Sequence, residues 1–134
     1  MKVIDGRDLI YGRLATVVAK SALEGEQVVV VNVEHVIMSG AKKHNYEFFK
    51  QRRERTRVIY PRRPDRVFRR SIRGMIPHKT PRGTKAFKKV KVFIGTPAEY
   101  EGKAQTIEEI NYVNFKMPKF QKLGDLCKEL GWSG

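Results

Sequence analysis

Four arginines, Arg66, Arg69, Arg70 and Arg73, recur at a spacing that places them within a single arc of roughly 100° on a helical wheel. No acid stands among them. A planar guanidinium donates in pairs to phosphate oxygens, so a one-sided stack of this kind suits a polyanion. The plainer reading is a solvated helix face. Such faces usually mix signs and gain i,i+4 pairs, whereas these four repel one another.

The same chemistry extends along the chain. Residues 41–91 hold 19 Lys and Arg against Glu47, Glu54 and Asp65, a local net charge of +16. The remaining 83 residues sum to −2, out of +14 for the whole chain of 134. The excess is therefore a footprint and not a general solubilising surface. Immediately after the arginine stripe, Arg73-Gly74-Met75-Ile76-Pro77-His78-Lys79-Thr80-Pro81-Arg82-Gly83 brackets a His-Lys-Thr tripeptide with glycines and prolines. Its backbone amides and cations could approach a sugar-phosphate chain closely; the plain alternative is an ordinary connection between helices. Gly74 and Lys79-Thr80 resemble a nucleotide-binding loop only superficially, because the spacing is one residue short, the second glycine is missing and Pro77 removes a donor.

Catalytic constellations are thin. His35, His44 and His78 are scattered, and neither Gly-x-Ser-x-Gly nor His-Glu-x-x-His occurs. Asp5 and Asp8, at the end of a parallel strand where α/β sheets often place active sites, suggest a metal-dependent nuclease as the competing enzyme reading; a strand end followed by a turn explains them more simply. The single cysteine, Cys127, permits no intramolecular disulfide and no cysteine-based zinc site, which suits a reducing compartment. The first residues lack the apolar run of a signal peptide, and no stretch approaches the ~20 apolar residues of a membrane span. A soluble cytosolic protein is expected, without cofactor, metal or small-molecule substrate.

The elements that must position these residues follow from periodicity. Val3-Ile4 predicts a strand; Leu14, Val17, Val18 and Ala22 predict a helix over 12–23, closed by Gly25; Val28-Val29-Val30-Val31 predicts a strand buried on both faces of a parallel sheet. Ser39 predicts the N-cap of a basic helix from about Ala41 to Arg55, with Tyr46 and Phe49 inward. Tyr60-Pro61-Arg62-Arg63-Pro64 predicts a basic loop, and Asp65 a cap for the stripe-bearing helix, whose Val67, Phe68, Ile72 and Met75 face a core. Thr80-Pro81 predicts a further helix start, Val92 to Gly95 a strand, and Leu123 to Leu130 a last helix. Phe48, Phe49, Tyr60, Phe68 and Phe87, interleaved with the basic residues, could stack on bases, but three of them also fit helical core spacing, so core packing is favoured; Tyr60, in the proline-rich loop, is the best stacking candidate. The length fits one domain: a β-α-β start over 1–40, basic helices and loops over 41–91, and a last strand and C-terminal helix over 92–134.

Taken together, Val3-Ile4-Asp5, Gly12-Arg13-Leu14-Ala15, Val28 to Asn32, Ser39-Gly40 and above all Arg73 to Thr80 with Arg82-Gly83 resemble the large-subunit ribosomal protein L13 family. The resemblance covers roughly residues 2–97 in order. The segments Gln51 to Arg55 and Arg62 to Arg66 are similar to the archaeal branch and to the eukaryotic L13a branch. Two departures stand out: the loop between Arg57 and Pro61 is shorter than usual, and Tyr11 stands where the family usually has leucine. The resemblance implies a three-layer α/β/α domain around a four-stranded parallel sheet with a basic helical insertion. It further implies a non-catalytic ribosomal role in the cytoplasm, with large-subunit rRNA and neighbouring ribosomal proteins as partners. On this reading the RNA-binding set comprises Lys42, Lys43, Arg52, Arg53, Arg55, Arg57, Tyr60, Arg62, Arg63, Arg66, Arg69, Arg70, Arg73, His78, Lys79, Arg82, Lys85 and Lys88. An mRNA-binding regulator would need no different residues.

Overall fold

The four consecutive valines form the central strand, and the rest of the fold is arranged around them. The computed structural model describes residues 1–55 and 62–132, the side chains of 53–55 excepted. Strand β2 (Val28–Val31) pairs in parallel with β1 (Lys2–Asp5) on one side and with β4 (Val90–Val92) on the other. All four valines are buried, which is why this strand shows no polar alternation. Val28 and Val30 face the main core together with Ile4, Val90 and Val92. Val29 and Val31 face a smaller cluster with Val3 and Tyr100, against which Phe93 and Ala104 pack.

Helix α1 (Tyr11–Leu23) connects β1 to β2 and buries Leu14, Ala15, Val18, Ala19 and Ala22. Gly25 ends the turn after it at φ +98°, the left-handed conformation that glycine adopts without strain. Helices α2 (Lys42–Arg55), α3 (Pro64–Met75) and α4 (Pro81–Lys88) follow, and α5 (Leu123–Glu129) closes the chain. Leu123, Leu126 and Cys127 of α5 are fully enclosed, and Leu130 just beyond it is buried. Helices α3 and α4 both pack on α1 and on β4, with Val67, Phe68, Ile72 and Ala86 in the main core. Helices α3 and α4 of the basic segment are therefore part of the helical layer, not an appendage to it.

Several expectations change. Among the described residues the parallel sheet has three strands, in the order β1-β2-β4, where four were implied. The place beside β1 is held by one residue: Gln105 donates to the Val3 carbonyl and accepts from the Asp5 amide, at 3.0 Å each. The surrounding Glu101-Gly102-Lys103 turn, with Gly102 at φ +75°, leaves too little extended chain for a ladder. The implied third layer is correspondingly thin: the face bearing Val29 and Val31 is covered by the 3₁₀ turn Ala98–Tyr100 and its flanks. Ser39 does not cap α2. It ends strand β3 (Ile37–Ser39), which pairs antiparallel with β5 (Phe120–Lys122), and its carbonyl accepts from Asn45 Nδ2 at 3.2 Å. The strand expected over Val92 to Gly95 lies earlier, at Val90–Val92, because Gly95 turns at φ +70°.

Candidate nucleic-acid interface

Helix α3 shows how the chain holds cations in place. Pro64 occupies its first turn, and the residue before it, Arg63, takes the extended conformation that proline imposes. Asp65, expected as the cap, instead sits inside the first turn, where Oδ1 accepts from the Arg66 amide at 2.9 Å and Oδ2 pairs with Arg63 Nη2 at 3.3 Å. Val67, Phe68 and Ile72 are buried; Met75, assigned to the same arc, is exposed because it lies at the helix end, against Thr16. The apolar face fixes the rotation of the helix, so its outer face carries Arg66 and Arg73 into solvent.

The stripe is divided by this packing. Arg69 turns inward: Nε donates to the Val90 carbonyl and Nη2 to that of Phe87, each at 3.3 Å, and the guanidinium lies 3.9 Å above the Phe87 ring centre. Burial pulls its pKa below the usual arginine value. Arg69 is thus a clamp joining α3 to β4 and α4, a role the helical wheel did not reveal. Arg70 and Arg73 face the other way and line an open cleft of about 240 Å³ with Ser71 and Gly74. Arg52 reaches the same cleft from α2, its guanidinium 4.5 Å above the exposed Phe48 ring, and His78 reaches it from the following turn. His78 Nδ1 stands 3.1 Å from the Arg73 carbonyl.

The glycine-bracketed turn differs from expectation in one respect. Two of its amides serve the turn itself: His78 donates to the Ile76 carbonyl at 2.7 Å and Thr80 to that of Pro77 at 3.0 Å. Thr80 caps α4, as its sequence indicated, accepting from the Gly83 amide at 3.1 Å. Thr84 Oγ1 donates to the His78 carbonyl at 2.9 Å. Gly83 is required here because a Cβ would lie 1.8 Å from the Pro77 carbonyl oxygen. The side chains of Lys79, Arg82, Lys85 and Lys88 are all exposed.

The other cations named from sequence disperse. Lys42 and Lys43 line a separate hollow with Tyr46 and Glu129. Arg62 lies against Gly131 beyond α5. The side chains of Arg53 and Arg55, and the whole of Arg57 and Tyr60, lie outside the described residues. Phe49 and Phe68 are buried and Phe87 lies under Arg69, as core packing required, while Phe48 is the exposed aromatic beside the cleft.

The carboxylates proposed for metal chemistry are engaged differently. Asp5 Oδ1 accepts from Asn32 Nδ2 at 3.1 Å and from the Arg7 amide at 3.0 Å, which ties the ends of β1 and β2. Asp8 sits in a left-handed turn at φ +64° and lines a larger cleft of about 590 Å³ with Glu34, His35, Tyr112, Gln121 and Trp132. Among the described residues no three His, Cys, Asp or Glu side chains are arranged to hold a metal ion. No helix among them is long and apolar enough to cross a membrane. Tyr11, the departure noted above, joins α1 to α3: its hydroxyl is hydrogen-bonded to Ser71 Oγ, and its ring meets Phe68 edge to face at 5.3 Å.

The fold and this surface define a small mixed α/β protein whose helical layer carries a concentrated cationic face. Comparison with known sequences specifies the family. A family model described as ribosomal protein L13 matches residues 1–99. The chain is 41% identical over 132 residues to a large ribosomal subunit protein uL13 from Natronomonas pharaonis, covering 96% of this chain and 90% of the relative. It is 41% identical to its counterpart from Methanosphaera stadtmanae, with 96% of each chain covered. A third relative, from Methanocaldococcus jannaschii, is 40% identical over 139 residues, with 98% of each covered. The chain belongs to the ribosomal protein L13 family.

Proposed function

We propose that this protein is a structural constituent of the large ribosomal subunit that binds rRNA through its Lys/Arg-rich face, performs no catalysis and acts in the cytoplasmic ribosome beside other ribosomal proteins. The observation that carries this reading is the convergence of Arg52, Arg70, Arg73 and His78, from α2, α3 and the turn, on one cleft in a chain of this family. Arg66, Lys79, Arg82, Lys85 and Lys88 extend the cationic surface around it, and Lys42, Lys43, Arg62 and Arg63 provide outlying contacts. Arg53, Arg55, Arg57 and Tyr60 join the set on sequence grounds. Because A-form major grooves are deep and narrow, recognition rests on RNA shape, phosphates and unpaired bases. Each neutralised phosphate releases counterions, so binding weakens steeply with salt.

The test is charge reversal that spares the clamp. The variant R52E/R66E/R70E/R73E, with Arg69 retained, should keep its circular dichroism and thermal transition but no longer co-sediment with large-subunit particles. Normal co-sedimentation of the folded variant would refute the assignment.

A further inference from the structure

Glycine inside a helix is unfavourable relative to alanine and therefore calls for a reason. Most of the described glycines have one within the chain: a positive φ, as at Gly25, or a neighbour that a Cβ would strike, as at Gly83. Gly12 and Gly74 have neither. Gly12 is the second residue of α1 and Gly74 the last but one of α3, and, apart from their chain neighbours and the helix's own backbone, no atom of the described residues comes within 4 Å of a Cβ built at either position. Both are exposed.

The fold brings these two bare positions to one seam. Tyr11, next to Gly12, is hydrogen-bonded to Ser71, one turn before Gly74. Thr16 donates to the Gly12 carbonyl at 3.0 Å, and its hydroxyl lies 4.0 Å from the sulfur of Met75, next to Gly74. Gly74 also forms part of the wall of the cleft that holds Arg52, Arg70, Arg73 and His78. At about 240 Å³ this cleft is smaller than the ~300–1,000 Å³ usual for small-molecule sites, yet it is open and cationic.

We infer that the sugar-phosphate backbone of the bound RNA lies directly on the α1–α3 seam, in van der Waals contact with the helix backbone at Gly74 and Gly12, while the surrounding cations hold the phosphates. The inference rests on the rRNA-binding reading and adds to it a contact made through missing side chains. Added atoms at these positions meet open space in the free protein and RNA in the complex.

The experiment compares Gly74→Ala, Gly74→Gln and Gly12→Ala with the unaltered chain. Thermal unfolding is measured alone, and binding to the organism's own deproteinised large-subunit rRNA is titrated across a salt series. Gly74→Ala should leave Tm unchanged or raised by about 2 °C. Its affinity should fall about tenfold, and further for Gly74→Gln, because packed interfaces tolerate added volume poorly. The slope of log K against log salt should stay unchanged, since no charge is lost. A lowered Tm would assign the glycine to the chain's own packing and overturn the inference, as would undiminished affinity. Arg73→Ala separates the two levels: if it lowers affinity and salt slope while the glycine variants bind normally, rRNA binding stands and the close approach fails. If neither class of variant affects binding, the rRNA-binding reading itself fails.

Discussion

The division of the arginine stripe gives its members opposite experimental signatures. Truncating Arg69 to alanine removes two charged hydrogen bonds, to the Val90 and Phe87 carbonyls, and a stacked contact on Phe87. Charged hydrogen bonds contribute about 1.5–3 kcal/mol each when well buried, and a cation over an aromatic ring about 0.5–1 kcal/mol. Arg69 is only half-buried and its bonds are long at 3.3 Å, so each falls below that range, at about 1 kcal/mol, and with the ring contact Arg69→Ala should destabilise the fold by about 2–3 kcal/mol. Arg73→Ala and Arg66→Ala, both at exposed positions, should change stability by less than about 0.5 kcal/mol. Urea titration reads the first quantity as a lower midpoint at constant m. Binding to rRNA over a salt series reads the second: each exposed arginine that meets a phosphate should reduce the slope of log K against log salt by about 0.7–0.9 when removed. Arg69→Ala, assayed where it remains folded, should leave that slope alone. If Arg69→Ala unfolds at the wild-type urea concentration, or lowers the slope as Arg73→Ala does, the clamp assignment is wrong.

Three further outcomes follow from the packing. Gly83→Ala sets a methyl against the Pro77 carbonyl and must displace backbone, so a loss of about 3 kcal/mol is expected in chemical denaturation. Gln121 is buried with both amide atoms lacking a hydrogen-bond partner among the described residues, so Gln121→Met should be neutral or stabilising by about 1 kcal/mol; a loss of stability would mean that the amide is satisfied elsewhere. Burial, with the nearby Asp65 charge adding to it, pushes the Cys127 thiol up to about 12 from an ordinary value of 9.0. The thiol should therefore resist alkylation at pH 8 until urea exposes it. Unfolding above pH 9 then releases its proton, so the stability it contributes is intact below pH 9 and lost as pH rises toward 12. Cys127→Ala should flatten that decline by up to about 1.4 kcal/mol per pH unit.

What could be read in the sequence were features with a local cause. The valine run, the helical spacing of Leu14 to Ala22 and of Leu123 to Leu130, and the Thr80-Pro81 start each depend on near neighbours, and each is present in the fold. What escaped the sequence depended on distant partners. Strand β5 exists because Phe120 to Lys122 meets Ile37 to Ser39, more than 80 residues earlier, and nothing in Phe-Gln-Lys by itself specifies a strand. The fate of Arg69 is of the same kind: a wheel assigns it to the cationic arc, but the carbonyls and ring that draw it inward belong to Phe87 and Val90. Tyr11 looked like a simple departure until its hydroxyl was placed at Ser71.

These distant contacts bear directly on how a concentrated positive charge can be held ready. Four like charges on three turns of helix would favour an unravelled segment if nothing opposed their repulsion. Here the opposing interactions lie behind the charged face: Phe68 and Ile72 in the core, Arg69 fastened to two carbonyls, and Tyr11 fastened to Ser71. Arg70 and Arg73 consequently project from a helix whose rotation is already fixed, so a polyanion needs to order side chains and not backbone. Ordering one residue's backbone costs roughly 1–2 kcal/mol, and for the 12 residues of α3 that sum would consume most of what a handful of phosphate contacts provides. If rRNA binds as proposed, the inward-facing arginine serves binding without touching the ligand, because it lets its neighbours meet phosphates on a helix that is already formed.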